Sequence, residues 1–439
     1  MPKVAFTTIG CRLNQAESDL MSEELAGQGV VPVGPEERPD LVVVNTCTVT
    51  REATKASRTA IRRAVRDNPD AKVVVAGCYA VSDPDEVKAI DGVSAIVGND
   101  DKERFAEALS TSTEIRPLLQ IGLPQRSVPF RIRANLKVQT GCDEWCTFCI
   151  IPTTRGPLRS MSSDDLIAEA RTRVAAGARE LVLTGVHLGK YTYDQGGDER
   201  ALIDLFERLL SIDGVWRLRL SSILSRHLTQ EVVDYFAAEP RVCRYLHVPL
   251  QAGDDEVLKA MHRPYEIDEY VASVKRAQAA LEGLALATDI IVGFPGESDT
   301  AFEKTLDVVR DIRFSKLHVF RYSARPGTPA ADMTNEVPPD VKKARSKRLI
   351  DLGNSIRAEF LAAHLDRPLE VLVEDERTVD GVGVCSGQTD DYVRVWFEGR
   401  GLLGSLVSVR GSEIRSDGIR GARLLDVTRP ALETGAMHG

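Results

Sequence analysis

Along the first hundred residues, short apolar runs alternate with stretches whose apolar positions recur at helical spacing. They predict strands at 4–9, 41–46 and 72–77, with helices at 15–27 and 51–67 between them. Continuous β-branched strands alternating with helices are typical of a parallel sheet covered on both faces. The pattern therefore predicts an N-terminal α/β domain at residues 1–110, built as a doubly wound parallel sheet.

A break in this periodicity precedes a second series of strands and helices. Residues 111–133, with Pro117, Gly122, Pro124 and Pro129, predict a linker. Beyond it, strands are predicted at 135–139, 180–184, 217–221, 244–248, 286–292 and 316–322, with amphipathic helices between them. Six such βα units predict a domain at residues 134–360 that forms a partial (β/α)6 TIM-like barrel.

The last part of the chain has a different pattern. After a helix predicted at 339–364, short alternating strands are predicted at 369–374, 392–397 and 406–409. Glycines between such strands are typical of a small β-barrel, which we place at residues 361–430. Tyr392, Trp396 and Phe397 are candidate stacking faces for bases, and the alternation implies that at least one of Tyr392 and Trp396 is core.

Composition and charge narrow the classes of function. The N-terminus has no signal-peptide run, and no stretch approaches the ~18 uncharged apolar residues of a membrane span. We therefore expect a cytoplasmic protein without a membrane partner, whose eight cysteines favour metal binding or redox chemistry over disulfides. The net charge of -9 excludes nucleic-acid binding by the surface as a whole, so any such contact needs a local patch.

Three cysteines follow the three predicted strands of the N-terminal sheet. Cys11, Cys47 and Cys78 each come just after a strand ends. Ligands of open α/β sheets bind outside the carboxyl ends of the strands, so we expect the three thiols to converge on a shared metal or cluster site. The alternative is three unrelated packing residues, since free cysteine is often buried.

A basic stripe follows Cys47 on the second predicted helix. Its members are spaced four, three, four and four residues apart, which places them on one face: Arg51, Lys55, Arg58, Arg62 and Arg66. The stripe predicts either a ridge that contacts phosphates or an ordinary solvated face.

A second cysteine triplet follows the first strand of the central domain. Cys142, Cys146 and Cys149 are spaced C-x3-C-x2-C, and polar or glycine-rich turns follow the later strands. In barrels the carboxyl ends of the strands carry the chemistry, so these segments should face one mouth. Three thiolates suit a four-iron cluster with one open iron, whereas zinc would need a fourth ligand such as His187 or His247.

The C-x3-C-x2-C spacing, with the aromatic Phe148 before the last cysteine, resembles the radical S-adenosylmethionine superfamily. The segments around Cys11 (TIGCRLNQAE), Cys47 (NTCTVT) and Cys78 (GCY) are similar to those of its methylthiotransferase family. Asn14 with Glu17, and Thr48-Val49-Thr50, resemble the MtaB-type branch, which acts on N6-threonylcarbamoyladenosine in tRNA. The resemblance covers nearly the whole chain and implies a C-terminal TRAM domain, an OB-like RNA-binding module.

The resemblance implies roles for individual residues. Cys142, Cys146 and Cys149 would hold a [4Fe-4S] cluster whose open iron binds S-adenosylmethionine. Cys11, Cys47 and Cys78 would hold a second [4Fe-4S] cluster that provides or carries sulfur. Further S-adenosylmethionine contacts are implied for Phe148, Gly185, Ser221, Ser222, Gln251, Ile291 and Gly293.

The resemblance also implies a reaction and partners. It implies transfer of a methylthio group to C2 of the modified adenosine at position 37, beside the anticodon, by a monomer that binds the tRNA anticodon loop. A flavodoxin- or ferredoxin-like electron donor and a sulfur source would be needed. The alternatives are isopentenyladenosine in tRNA, a ribosomal protein side chain, or a non-catalytic RNA-binding iron–sulfur protein.

Three residues near these motifs have open roles. Arg155 and Arg159 follow the second triplet and are interpreted either as contacts to phosphate or the cofactor carboxylate, or as surface charges. Ala252 stands where the family often has serine, so a hydroxyl contact expected there is absent.

Overall fold

The computed structural model describes residues 1–34, 37–119 and 131–429. Much of the predicted linker, including Gly122, Pro124 and Pro129, lies outside the described residues. Within the described part, no helix has the length and apolar character needed to cross a membrane.

The N-terminal region is a five-stranded parallel sheet, as its apolar pattern predicts. Its strands are β1 (Lys3–Thr8), β2 (Val31–Pro32), β3 (Leu41–Thr46), β4 (Lys72–Gly77) and β5 (Val93–Val97), in the order β2-β1-β3-β4-β5. All six residues of the central strand β3 are buried, which explains its continuous β-branched sequence. The predicted strands at 4–9, 41–46 and 72–77 therefore exist.

Helices cover both faces of this sheet. They are α1 (Arg12–Gly27), α2 (Arg51–Asp67), α3 (Cys78–Ser82), α4 (Pro84–Lys88), α5 (Phe105–Ser110) and α6 (Arg116–Leu119). Met21 and Leu25 of α1 pack with Val43 on one face, whereas Ile61 of α2 packs with Val42 on the other. Thr50 caps α2, since its Oγ1 accepts the Ala53 N–H at 3.0 Å.

The central region contains the six predicted parallel strands. They are β6 (Arg133–Lys137), β9 (Glu180–Thr184), β10 (Arg217–Leu220), β11 (Tyr245–His247), β12 (Ala285–Val292) and β13 (Lys316–Arg321), while β7 (Gln139–Thr140) and β8 (Arg159–Ser160) form a small antiparallel pair. The six strands form two parallel sheets, ordered β10-β9-β6 and β11-β12-β13. A parallel bridge between Leu218 and Val242 links the two. The structure thus confirms an α/β domain with parallel strands, which are arranged in two three-stranded sheets.

Amphipathic helices surround these strands and bury the largest apolar cluster of the molecule. They are α7 (Ile151–Arg155), α8 (Ser163–Ala175), α9 (Arg200–Leu210), α10 (Gln230–Ala238), α11 (Asp255–Ala260), α12 (Ile267–Ala280), α13 (Asp299–Ile312) and α14 (Pro339–Ala362). Short 3-10 turns lie at Asp100–Arg104, Leu188–Lys190, Tyr193–Gln195, Ser225–His227 and Pro329–Asp332.

The C-terminal region is a closed barrel of five strands. They are β14 (Pro368–Val379), β15 (Val382–Gln388), β16 (Arg394–Glu398), β17 (Leu406–Arg415) and β18 (Gly418–Arg429), in the order β14-β15-β16-β18-β17. The β16–β18 pair is parallel and the other pairs described for this barrel are antiparallel. The predicted strands at 369–374 and 406–409 are the beginnings of longer ones.

The aromatic residues of the predicted 392–397 strand do not form a single stacking surface. Tyr392 has a left-handed φ of 70° before β16 and stacks on Tyr245 of the central region, with ring centroids 4.7 Å apart. Phe397 is buried in the barrel core, which removes it as a face for a base. Trp396 is half-buried beside Arg394. Neither Tyr392 nor Trp396 is fully buried, so the prediction that at least one of them is core was wrong, because Tyr392 lies in the turn before β16. Base stacking by these two residues stays a prediction.

Buried arginines of β10 hold the C-terminal barrel against the central sheets. Arg219 pairs with Glu180 at 2.6 Å, and both side chains are fully buried. The same guanidinium donates to the backbone carbonyls of Thr389 and Asp390, at 3.0 and 2.9 Å. The Arg219–Glu180 pair thus lies within the central region, and its guanidinium also bonds the turn of the C-terminal barrel through two backbone carbonyls.

Candidate functional site

The register of the N-terminal sheet brings the first cysteine triplet together, as predicted from the strand ends. Thr46 pairs with Gly77 in neighbouring strands, so Cys47 and Cys78 leave adjacent strands at the same level. Cys11 comes from the next strand of the sheet, β1. Burial, together with the nearby Cys78 and Cys11 thiols, raises the pKa of Cys47 to about 11.

Two glycines allow the cysteine-bearing turns to approach each other. Gly10 has a φ of +103°, and a Cβ built on it would lie 2.9 Å from the Cys47 sulfur. Gly77 has a φ of +98°, and its Cβ would lie 2.4 Å from the Thr46 carbonyl oxygen. Side chains at these two positions would force the turns apart.

Buried polar side chains fix the same turns. Asn14 Nδ2 donates to the carbonyls of Ile9 and Thr46, at 2.8 and 2.9 Å. Ser57 Oγ accepts the Cys47 N–H at 3.0 Å and donates to the Cys47 carbonyl at 2.8 Å. The motif residue Asn14 therefore orders the cysteine-bearing backbone.

The second triplet lies in the loop between β7 and α7. Burial, followed by the Cys146 and Cys142 thiols, raises the pKa of Cys149 to about 12. Burial likewise raises the pKa of Cys142 to about 11. Arg263 donates from Nη1 to the Cys146 sulfur at 3.1 Å.

The donor sets fit iron–sulfur clusters better than single zinc ions. Tetrahedral zinc at ~2.3 Å from each thiolate would bring the sulfurs within ~3.8 Å of one another. Neither triplet is among the described groups of three candidate ligands whose donor atoms all lie within 4.8 Å. His187 groups with Cys142 and Asp143, whereas His247 groups with Asp289 and His318. Neither histidine therefore completes a four-ligand set with all three cysteines of the loop.

Helix α7, which follows the second cysteine triplet, contacts residues around the first cysteine triplet. Asn99 Nδ2 donates to the Thr154 carbonyl of α7 at 2.7 Å and lies 3.5 Å from the Cys78 sulfur. Arg155 at the end of α7 donates to Asn14 at 2.5 Å and to Glu17 at 2.8 Å. The two cysteine sites therefore share a buried polar interface.

Glu17 is the centre of that interface. It is bonded to Lys102 at 2.7 Å and to Arg155 at 2.8 Å, with Lys137 at 3.5 Å. Burial alone would raise the pKa of Glu17, but the three cations outweigh burial and hold it well below its ordinary value. Arg155 is thus neither a surface charge nor a free ligand for phosphate, which corrects that part of its interpretation. Arg159 pairs with Glu103 at 3.1 Å.

A cavity of about 220 Å³ opens between the two cysteine sites. Phe148 and Cys149 line it from the second triplet, and Val49 and Thr50 line it from the segment after Cys47. The strands of the central region contribute the rest of the wall: Gln251, Asp289, Ile291, Phe320, Arg321, Tyr322, Ser323 and Arg325, with Ile150 and Ile151 beside the cysteine loop. Three of the predicted cofactor-binding residues, Phe148, Gln251 and Ile291, therefore meet in one cavity.

The other predicted cofactor-binding residues are not among the described residues that line this cavity. A Cβ on Gly185 would lie 2.5 Å from Leu188, so that glycine serves a tight turn. The Gly293 N–H donates to Glu297 at 2.7 Å, and a Cβ there would strike Lys342. Ser221 donates its backbone N–H to Leu183, and Ser222 follows it at the end of β10. Contacts of these four residues with a cofactor stay predictions.

The basic stripe on α2 is exposed except at its centre. Arg51, Lys55, Arg62 and Arg66 are exposed. Arg58 is half-buried and pairs with Glu86 at 3.4 Å, and Arg66 pairs with Asp67 at 2.8 Å. The stripe is therefore partly neutralised, and its contact with RNA stays a prediction.

Sequence reasoning missed one wall of the cavity. It named no site residue after the strand predicted at 316–322, yet Ser323 and Arg325 line the cavity just after β13. Both residues follow the carboxyl end of a parallel strand, and the other predicted site residues of the central region were chosen for that same position. This position could have identified them.

Comparisons with known proteins agree with this architecture. A family model described as the radical SAM superfamily matches residues 136–309, and one described as uncharacterized protein family UPF0004 matches residues 3–98. A structure of the radical S-adenosylmethionine methyltransferase TsrM from Kitasatospora setae, with cobalamin and a [4Fe-4S] cluster bound, superposes with a TM-score of 0.56 at 16% identity. The match covers 75% of this chain and 77% of that one. It shows the fold alone.

Curated relatives match over nearly the whole chain. Threonylcarbamoyladenosine tRNA methylthiotransferase MtaB from Bacillus subtilis is 38% identical over 93% of this chain and 94% of its own length. The protein of the same name from Thermotoga maritima is 35% identical, over 96% and 97%. A tRNA-2-methylthio-N(6)-dimethylallyladenosine synthase from Carboxydothermus hydrogenoformans is 34% identical, over 92% and 96%. With this identity over almost its full length, the chain belongs to the tRNA methylthiotransferases of the radical SAM superfamily.

Proposed function

We propose that this protein adds a methylthio group to C2 of N6-threonylcarbamoyladenosine at position 37 of tRNA. The observation that carries the proposal is the pair of cysteine triplets flanking one cavity. Cys149 lines the cavity on one side, and Val49 and Thr50, just after Cys47, line the other. A base held there would lie between the two sites.

Two [4Fe-4S] clusters and S-adenosylmethionine complete the proposed site. Cys142, Cys146 and Cys149 would hold one cluster and the cofactor, and Cys11, Cys47 and Cys78 would hold the other. When bound, these groups supply the radical chemistry that an unactivated aromatic carbon requires and that side-chain acids and bases cannot provide.

The chain itself would position the substrate and keep water out. Phe148, Ile291 and Phe320 offer apolar and aromatic surface for the adenine ring. Gln251 has a left-handed φ of 68°, and its backbone carbonyl accepts the Ile291 N–H at 2.9 Å, which fixes that wall. A base and cofactor bound there would exclude water from a reactive species.

Two observations favour the threonylcarbamoyl branch. The relatives at 38% and 35% identity carry that name, although a dimethylallyladenosine synthase follows at 34%. In addition, the branch motif residues are part of the site: Glu17 anchors the buried interface, and Thr50 lines the cavity. Isopentenyladenosine in tRNA remains the second candidate.

The remaining parts of the proposal concern the surroundings of the site. We propose domains at 1–110, 134–360 and 361–430, joined by a linker at 111–133. The α2 stripe and the C-terminal barrel, as a TRAM-like module, would contact the anticodon arm, whose single-stranded loop makes the base accessible. A flavodoxin- or ferredoxin-like donor would supply electrons, a separate source would supply sulfur, and the monomer would act in the cytoplasm.

The modified nucleosides of cellular tRNA test this function. Deletion of the gene should abolish 2-methylthio-N6-threonylcarbamoyladenosine in nuclease digests analysed by mass spectrometry and leave the unthiolated nucleoside to accumulate. Complementation with the wild-type gene should restore it, and complementation with Cys47→Ala should not. Loss of the methylthio derivative of isopentenyladenosine instead would assign the second candidate, and unchanged methylthio nucleosides would contradict the tRNA assignment.

A further inference from the structure

One wall of the cavity carries buried polar atoms that lack partners. Among the described residues, the Tyr322 hydroxyl, the Ser323 hydroxyl, and Nε and Nη2 of Arg325 have no hydrogen-bond partner although they are shielded from solvent. All three residues line the cavity. Buried polar groups are normally bonded, and an unsatisfied one costs about 1–3 kcal/mol. Four such atoms on one short segment indicate a polar ligand.

The guanidinium of Arg325 is held with one edge free. Its Nη1 donates to Thr54 Oγ1 of α2 at 3.1 Å, and that hydroxyl lies 3.0 Å from Thr48 Oγ1. The Nε and Nη2 atoms form the opposite edge, and two parallel N–H groups along such an edge match the two oxygens of a carboxylate. No ion pair involving Arg325 is found in the described part of the chain. Burial lowers the pKa of Arg325, although Asp83, Cys47 and Glu52 lie near enough to favour its charge.

We propose that Arg325, with Ser323 and Tyr322, forms a subsite that binds the carboxylate of the threonylcarbamoyl group on the substrate base. This inference rests on the proposed function and deepens it. The threonyl group carries a carboxylate for the guanidinium edge and a hydroxyl for the neighbouring side chains. An isopentenyl group has neither and would leave all four polar atoms unpaired, so the subsite selects between the two bases.

The position of the subsite favours the base over the cofactor as the source of the carboxylate. S-adenosylmethionine also carries a carboxylate, but the resemblance places it at the open iron of the cysteine loop. Arg325 is anchored instead to Thr54, on the helix that follows Cys47. Arg325 thus lies beside the segment that carries Cys47, within the cavity that Cys149 also lines.

Binding of synthetic RNA by the full-length, anaerobically reconstituted protein tests this subsite. Two anticodon stem–loops are compared by fluorescence anisotropy, one with N6-threonylcarbamoyladenosine at position 37 and one with unmodified adenosine. The wild type should prefer the modified RNA. Arg325→Gln should bind the modified RNA about 10- to 100-fold more weakly and the unmodified RNA unchanged, because only the carboxylate contact is lost. Its affinity for S-adenosylmethionine, measured by calorimetry, should not change.

Matched variants control for folding and for general charge. Arg310→Gln removes an exposed arginine of α13 that pairs with Asp307, and it should keep the preference. Arg325→Lys keeps the positive charge but lacks the two parallel N–H groups of the guanidinium edge, so it should lose part of the preference for the modified RNA. Iron content and melting temperature report whether each variant folds, and Ser323→Ala, which removes only a hydroxyl, provides a second variant with a smaller loss of preference.

The outcomes separate this inference from the proposed function. A wild type that prefers the modified RNA, with Arg325→Gln keeping that preference, overturns the subsite alone. Weaker binding of S-adenosylmethionine by Arg325→Gln with the RNA preference intact overturns it too and assigns Arg325 to the cofactor carboxylate. A wild type that binds both RNAs equally overturns the subsite and the proposed base together.

Discussion

Glu17 is the residue on which the contact between the two cysteine sites depends most. Its carboxylate compensates Lys102, Arg155 and Lys137, and the side chains of all four residues are almost completely buried. A buried cluster of charges contributes little to stability compared with apolar side chains of similar size. Loss of one of its members, however, leaves the remaining buried charges unpaired.

Glu17→Gln should therefore destabilise the protein strongly. We expect a loss of about 3–5 kcal/mol, because three cations would share one neutral amide. Chemical denaturation at pH 7 measures this free energy. Glu231→Gln is the matched control, since Glu231 forms an exposed pair with Arg200 and should cost less than about 1 kcal/mol. Equal losses in the two variants would contradict the account of the interface.

The stability lost in Glu17→Gln should depend on pH in a defined direction. The folded pKa of Glu17 is lowered, so its stabilising contribution is complete above the unfolded value of about 4.3 and disappears as pH falls toward the folded value. The difference in unfolding free energy between wild type and Glu17→Gln should thus be equal at pH 7 and pH 5 and smaller at pH 3. A difference that already shrinks between pH 7 and pH 5 would refute the lowered pKa.

Sequence reasoning identified the residues of the site better than their contacts. The six cysteines could be found because strand ends and short spacings are visible in the chain. Arg155 could not be assigned, since its partners Asn14 and Glu17 are more than a hundred residues away. The free edge of Arg325 likewise depends on which side chains fold against its guanidinium, and a pattern along the chain does not reveal this.

At the scale of elements, two turns with unusual backbone conformations place the first cysteine triplet. Gly10 and Gly77 both have positive φ and touch neighbouring backbone or the Cys47 side chain. Strand periodicity predicted β1, β3 and β4 within two residues, because continuous apolar runs mark buried parallel strands. It missed β15 and the charged second half of β14, since the sequence at 374–379 has no apolar alternation to reveal a strand.

Gly10→Ala should destabilise the protein by more than backbone strain alone would, and it should weaken cluster binding at the first cysteine triplet. The new Cβ would lie 2.6 Å from Cys47 Cβ, in addition to the strain at a φ of +103°. Gly283→Ala is the control, because it has a φ of +74° with open space around the added Cβ, and strain alone costs about 1–2 kcal/mol. Denaturation and iron content should show a larger stability loss and about half the iron for Gly10→Ala. Wild-type iron content in that variant would contradict the assigned packing.

At the scale of the whole molecule, three regions are joined through buried arginines of the central region. Arg155 of the central region binds Glu17 of the N-terminal region, and Arg219 of the central sheets binds the turn at Thr389 and Asp390. The central region therefore contacts both of the others through arginines near its strands. This arrangement holds the N-terminal region and the C-terminal barrel each against the central region.

The central claim is that two separate three-cysteine cluster sites flank one cavity, and iron content tests it most directly. Anaerobically reconstituted wild type should hold about eight irons per chain, four for each cubane cluster. Cys47→Ala and Cys142→Ala should each hold about four, and the double variant close to none. Cys385→Ala, which alters a buried cysteine of the C-terminal barrel outside both sites, should still hold about eight. Four irons in the wild type, or zinc in place of iron, would contradict the account.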